Sequence, residues 1–154
     1  MEHSEFLFFP TLFHQQRESV LPAAQARFDE IAQHFPKSNI LRLEYWAQVI
    51  EHHCLEDFEA VKRLAGQHIW REELLAERFE WGREHGIFAI AMRVLRLPMA
   101  IELPMIPEYG GCKSWIEIAH PVMPAGSSPV LDDEAFAQRL ERFRAAICSV
   151  RLGG

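Results

Sequence analysis

An apolar side chain stands at every position of Ile87, Phe88, Ala89, Ile90, Ala91 and Met92, so a strand built on them has no polar face to give to water. Such a run belongs in the interior of a sheet. The strand is expected over residues 87–97, and near its end Arg93 and Arg96 put cations on opposite faces. A proline-marked excursion over residues 98–108 follows, then a tight turn at Tyr109, Gly110 and Gly111, then a second strand over residues 113–122. The few polar groups of this pair fall at strand ends, where a rigid sheet holds them beside a cleft. A site is expected there.

The other elements read outward from that pair. Phe6, Leu7, Phe8 and Phe9 form an apolar run too short for a helix and stopped by Pro10, which brings no N–H to a ladder, so a buried strand is expected. Pro22 suits a helix's first turn, and Ala24, Phe28, Ile31 and Phe35 recur at helical spacing until Pro36, which predicts an amphipathic helix with its apolar face inward. Over residues 40–50 the period becomes two: Leu41, Leu43, Tyr45, Ala47 and Val49 share one face, and Arg42, Glu44 and Gln48 the other. Glu56 and Asp57 then favour the start of a short, surface-lying helix with Phe58, Val61 and Leu64 as its stripe and Gly66 beyond its end. Gln67, His68, Ile69 and Trp70 connect it to a helix over residues 71–81 whose Leu74, Leu75 and Phe79 point inward. Residues 123–129 have loop chemistry, and a last helix from Asp132 carries Phe136, Leu140, Phe143, Ile147 and Val150 at steps of four and three.

The order β-α-β-α-α-β-β-α is not dominated by consecutive parallel crossovers. It predicts an α+β domain with a mixed, mostly antiparallel, curved sheet and flanking helices. A chain of 154 residues with no long linker is expected to be one domain over residues 1–154, large enough to bury roughly 70% of its unfolded surface. No apolar run approaches the ~18 residues of a membrane span and the start of the chain has no basic region, so no membrane contact and a cytoplasmic location are expected. Cys54, Cys112 and Cys148 are odd in number with no CxxC spacing, which fits reduced thiols. The formal charge of −6 repels phosphate and counts against a nonspecific nucleic-acid coat, while leaving a local basic patch open. There is no phosphate-binding glycine loop, serine elbow or metal-protease helix, so no cofactor and no catalytic class are indicated.

Several runs carry a family resemblance. Phe8, Phe9, Pro10, Thr11, Leu12, Phe13, His14 and Gln15, then His68, Ile69 and Trp70, then residues 93–97, then Tyr109, Gly110, Gly111, Cys112, Lys113, Ser114, Trp115, Ile116 and Glu117 resemble the prokaryotic domain-of-unknown-function family 1802. The likeness extends from Phe6 to about Ile118. The family has no established activity. The resemblance implies that a further N-terminal segment, usual in the family, is lacking here, so that the chain is truncated relative to its family. Some relatives are joined to restriction-type nuclease modules, which implies a setting in DNA restriction or defence, with nucleic acid or a nuclease as partner. The order of strands in the family is also similar to that of PUA-like nucleic-acid barrels, here an incomplete one.

Candidate chemistry gathers on these motifs. Cys112 follows two glycines and neighbours Lys113, which lowers a thiol pKa, yet its base would have to be the distant His14 or His68; a structural cysteine at a strand start is the stronger reading. His14 and Gln15 after Thr11 suit either a hydrogen-bonding pair at a sheet edge or a turn that caps backbone groups. His52, His53, Cys54 and His68 do not converge as metal ligands, because adjacent strand residues point to opposite faces. Arg78, Arg93, Arg96 and Lys113 with Trp70, Tyr109 and Trp115 combine cations for phosphate with rings for stacking, against a bland reading as ion pairs and core rings. The candidate binding set is therefore Thr11, His14, Gln15, His68, Trp70, Arg78, Arg93, Tyr109, Gly111, Cys112, Lys113, Ser114 and Trp115. Three functions stay open: a recognition module for nucleic acid, a small enzyme using Cys112 or His14, and a structural protein-interaction domain.

Overall fold

The computed structural model describes residues 3–12, 16–36, 39–81, 86–111, 115–119, 122 and 124–148. In chain order the elements are β1 (Glu5–Leu7), α1 (Pro22–Gln33), β2 (Ile40–Leu55), α2 (Phe58–Lys62), α3 (Glu72–Phe79), β3 (Ile87–Pro104), β4 (Ser128–Pro129) and α4 (Asp133–Cys148), with single 3-10 turns at Arg17–Ser19 and Pro107–Tyr109. The strands form one antiparallel sheet in the order β1, β2, β3, β4, so the fold is α+β with an open sheet. Among the described residues the sheet does not close into a barrel.

Its spine is the ribbon of β2 and β3, and both strands outrun their expected ends. β2 continues through His52, His53 and Cys54 because these pair with Ile90, Ala89 and Phe88. β3 passes Pro98 because the residues between Arg96 and Ile101 have no registered partner on β2: Tyr45 pairs with Arg96 and Leu43 with Ile101. Pro98 sits in that irregularity, where its missing N–H breaks no ladder bond. The excursion expected at Pro98 is therefore a bulge inside one strand. The alternation expected on β2 holds at Leu41, Leu43 and Ala47, which are buried, but not at Tyr45, which is exposed.

Among the described residues of the segment 113–122, where a second strand is expected, none is in a strand. Residues 115–119 belong to no helix or strand, and Lys113, Ser114, His120 and Pro121 lie outside the described residues. The Ala119 N–H goes instead to the Tyr109 hydroxyl, at 3.2 Å, and Ile116 and Ile118 pack over Leu41, Leu43 and Tyr109. The antiparallel mate of β3 is β2, and among the described residues its other edge pairs with the short β4, which the loop composition of residues 123–129 concealed.

Two apolar clusters lie at the two ends of the ribbon. One joins Leu55, Ala60, Val61, Leu64, Phe79 and Phe143, with Ile87, Ala89 and Ala91 of β3 packed against it. The other is Leu41, Leu43 and Tyr109. α2 begins where Asp57 accepts the Glu59 N–H, and it contributes Ala60 and Val61 to the first cluster, so it is a core element and not the surface helix expected. α4 begins where Asp132 accepts the Ala135 N–H at 2.7 Å, and it lays Phe143 into the same cluster. α1 starts at Pro22 as expected but buries no residue, and Ile31 is 49% exposed, so its apolar face is not turned into the core. β1 is an edge strand with half-buried side chains, not the buried strand expected.

Candidate functional site

A cleft of about 990 Å³ opens beside the first cluster, between β3 and the segment that runs from His68 through α3 to Trp81. One wall is Ile87, Phe88, Ala89 and Ile90; the other includes His68, Trp70, Leu74, Leu75, Arg78 and Trp81. The connector before α3 is tied down by backbone. Val20 and Trp70 form an isolated antiparallel bridge, Leu21 donates to the Ile69 carbonyl at 2.7 Å, and Arg71 donates to the Ser19 carbonyl at 3.0 Å. Trp70 is thereby placed on a fixed backbone. Burial holds His68 below the usual histidine range, and its Nδ1 accepts the Trp70 N–H at 3.2 Å, which leaves the proton of the neutral ring on Nε2.

Of the expected binding residues, His68, Trp70 and Arg78 come together here. The rest do not join them. Tyr109 is buried at the other end of the ribbon against Leu41 and Leu43, and twelve strand residues at ~3.3 Å each separate Leu43 from Leu55 by roughly 40 Å. Gly111 is exposed beside it in the left-handed region, φ +92°, as the expected turn requires. Trp115 packs edge-on against Phe6 near β1, with ring centroids 5.3 Å apart. Thr11 is exposed and does not line the cleft. Arg93 is held by α4: its guanidinium donates to Asp133 Oδ1 at 2.6 Å and to the Asp132 carbonyl at 3.2 Å, and it lies 4.6 Å from the Phe136 ring centroid. His14, Gln15, Cys112, Lys113 and Ser114 lie outside the described residues. Among the described residues, no group of three His, Cys, Asp or Glu side chains is placed to hold a metal ion.

Trp81, Phe88 and Glu77 line the cleft and were not anticipated. Trp81 and Phe88 are each 63% exposed. Trp81 lies beyond α3, which ends at Phe79, so its exposure does not follow from the Leu74, Leu75, Phe79 spacing. Phe88 was hidden by the reading of its strand as covered on both faces. Arg78 lies over the Trp81 ring, 4.3 Å from its centroid, and Glu77 has no ion-pair partner among the described residues. Elsewhere the cations are largely spoken for: Arg17, Arg27, Arg42, Lys62, Arg71, Arg93, Arg96 and Arg144 each face a carboxylate.

An open antiparallel sheet with helices over one end and a cleft beside it defines an α+β domain. The family model described as Domain of unknown function (DUF1802) matches residues 1–142, and the chain belongs to that family. No curated protein and no solved structure matches it. Among the described residues no helix is long and apolar enough to cross a membrane.

Proposed function

We propose that this chain is a recognition module that holds a segment of a partner protein in the cleft. The observation that carries the reading is the gathering of exposed large apolar side chains, Ile69, Trp70, Trp81, Phe88 and Ile90, at and around one cleft. Contiguous exposed apolar surface marks interaction sites, and tryptophan and arginine dominate the energetics of such interfaces. The polar groups that line the cleft among the described residues include Ser19, Gln67, His68, Glu77 and Arg78. An enzyme using Cys112 or His14 is the alternative that a turnover assay addresses.

A nucleic-acid occupant draws on Arg78 over Trp81, a platform on which a base stacks. Against it stand the charge of −6 and the pairing of most described cations with carboxylates, which leaves little to follow a phosphate backbone. The restriction or defence setting rests on the family resemblance alone. The test sets two probes side by side: a phage-displayed random peptide library and single- and double-stranded oligonucleotides across a salt series. Peptides that enrich on the wild type and are lost on Trp81→Ala support the reading. Oligonucleotide binding that weakens with salt, and loses about one unit of slope in Arg78→Ala, replaces it with the nucleic-acid reading.

A further inference from the structure

Ile87, Phe88, Ala89 and Ile90 line the cleft in succession. Successive strand residues point to opposite faces, so a cleft that touches all four reaches the edge of β3 as well as the face that carries Leu55 and Phe143. β2 occupies the other edge. On the cleft side β4 pairs with Leu95 and Arg96, and Val130 adds its N–H to the Val94 carbonyl at 3.0 Å.

The direction of the backbone groups along that edge follows from the ladder. Tyr45 accepts from the Phe8 N–H at 3.0 Å and Val49 donates to the Ser4 carbonyl at 2.8 Å, so Tyr45, Ala47 and Val49 address β1 and the intervening Trp46 and Gln48 address β3. Trp46 and Gln48 are in register with Leu95 and Arg93, whose backbone groups therefore face β2. Val94 faces the opposite way, as its bond from Val130 independently requires. Alternation carries the same outward aim to Met92, Ile90 and Phe88, because the extra residue of the nearby bulge, Ile50, lies in β2 and leaves β3 in step.

We infer that β3 accepts an added strand along Phe88, Ile90 and Met92, and that the occupant is an extended, apolar peptide segment carrying a lysine or arginine. Exposed edges are normally blunted by charge, proline or a bulge, and the residues from Ile87 to Met92 carry no charged or proline side chain. Main-chain pairing supplies affinity, and the wall with Trp70 and Trp81 receives side chains of the added segment. Glu77, unpaired among the described residues, and the chain's charge of −6 select the cation. The inference rests on the partner-protein reading above and adds the mode of pairing and the chemistry of the segment.

The experiment uses peptides selected from the random library on the whole chain and then synthesised. Strand addition predicts apolar sequences with a basic residue, weakened ~tenfold or more by Ile90→Pro, which removes an outward N–H while sparing the bonds to β2. It also predicts that methylating the peptide's own amides one at a time weakens binding at alternate positions. That scan uses the wild-type protein, so it decides the matter if Ile90→Pro fails to fold. Glu77→Gln is expected to cost severalfold and to relax the preference for lysine and arginine. Peptides lost on Trp81→Ala but indifferent to Ile90→Pro and to every amide methylation overturn strand addition and leave the cleft as a recognition site. No enriched peptide, or peptides indifferent to Trp81→Ala, overturns the recognition reading itself.

Discussion

At one end of the β2 and β3 ribbon the Tyr109 ring is closed over, with Met105, Ile106, Ile116 and Ile118 around it and its hydroxyl taken by the Ala119 N–H. At the other end Trp81 and Phe88 stand mostly in solvent on either side of a cleft. Both ends offer aromatic rings beside polar atoms, and both stand on the same two strands. What separates them is what lies over the ring: Met105, Ile106, Ile116 and Ile118 pack at the Tyr109 end, while at the other end α3 faces β3 across the cleft. Ring identity alone therefore does not distinguish packing from recognition; what covers the ring does.

The largest expected effects test whether the ends are separate. Phe143→Ala removes a ring from the cluster of Leu55, Val61 and Phe79 and should cost about 3–5 kcal/mol; Leu43→Ala, at the Tyr109 end, should cost about 2–5 kcal/mol. Because the two sites share no neighbours, the double variant should lose the sum to within ~0.5 kcal/mol in urea denaturation. A strong departure from additivity would mean that the ribbon couples the clusters and that the two ends form one core. A loss below ~1 kcal/mol for Phe143→Ala would remove α4 from that core altogether.

Smaller losses sharpen the contrast between held and free side chains. Arg93→Ala should cost about 1 kcal/mol, mainly through the Phe136 contact, since Asp133 is fully exposed and its ion pair is screened. It should leave any salt dependence of ligand binding unchanged, whereas a phosphate-contacting Arg93 would lower the salt slope by about one unit. Tyr109→Phe removes the acceptor of the Ala119 N–H and should also cost about 1 kcal/mol. Trp81→Ala, by contrast, should change stability by less than ~0.5 kcal/mol because the ring is mostly exposed, so any loss of binding in that variant is local.

Much of the fold was legible because its signals are local. Pro22 opening α1, Asp57 capping α2 and the Phe136, Leu140, Phe143 spacing of α4 all act within a few residues, and each element forms where they place it. The errors come from pairings that only tertiary structure decides. Pro98 reads as a strand end until the register shows that no partner stands opposite it, and the apolar run of β3 reads as buried until β4 proves to reach only Leu95 and Arg96. The site was legible in part for the same reason. His68 and Trp70 are neighbours in sequence and stay neighbours in the cleft, whereas Tyr109 and Trp115 looked equivalent to them and were drawn into packing elsewhere.

The smallest expected effect belongs to the cleft end and depends on pH. Burial lowers the His68 pKa from 6.5, so the unfolded chain takes up a proton near that value while the folded ring resists protonation to lower pH. The unfolded state then binds more protons over that interval. Its contribution to stability is fully present above pH 6.5 and is lost as pH falls from there through the folded-state value. His68→Gln should remove this component, making the fall of stability with acidification shallower than in the wild type when urea midpoints are compared from pH 7.5 to about 5. The opposite sign, a variant that loses more stability in acid than the wild type, would mean that the folded protein favours the charged ring. Protonation of Nδ1 is also incompatible with accepting the Trp70 N–H. A cleft that recognises its ligand through a fixed Trp70 should therefore bind less tightly as pH falls through the lowered folded-state value, and His68→Gln should blunt that loss as well.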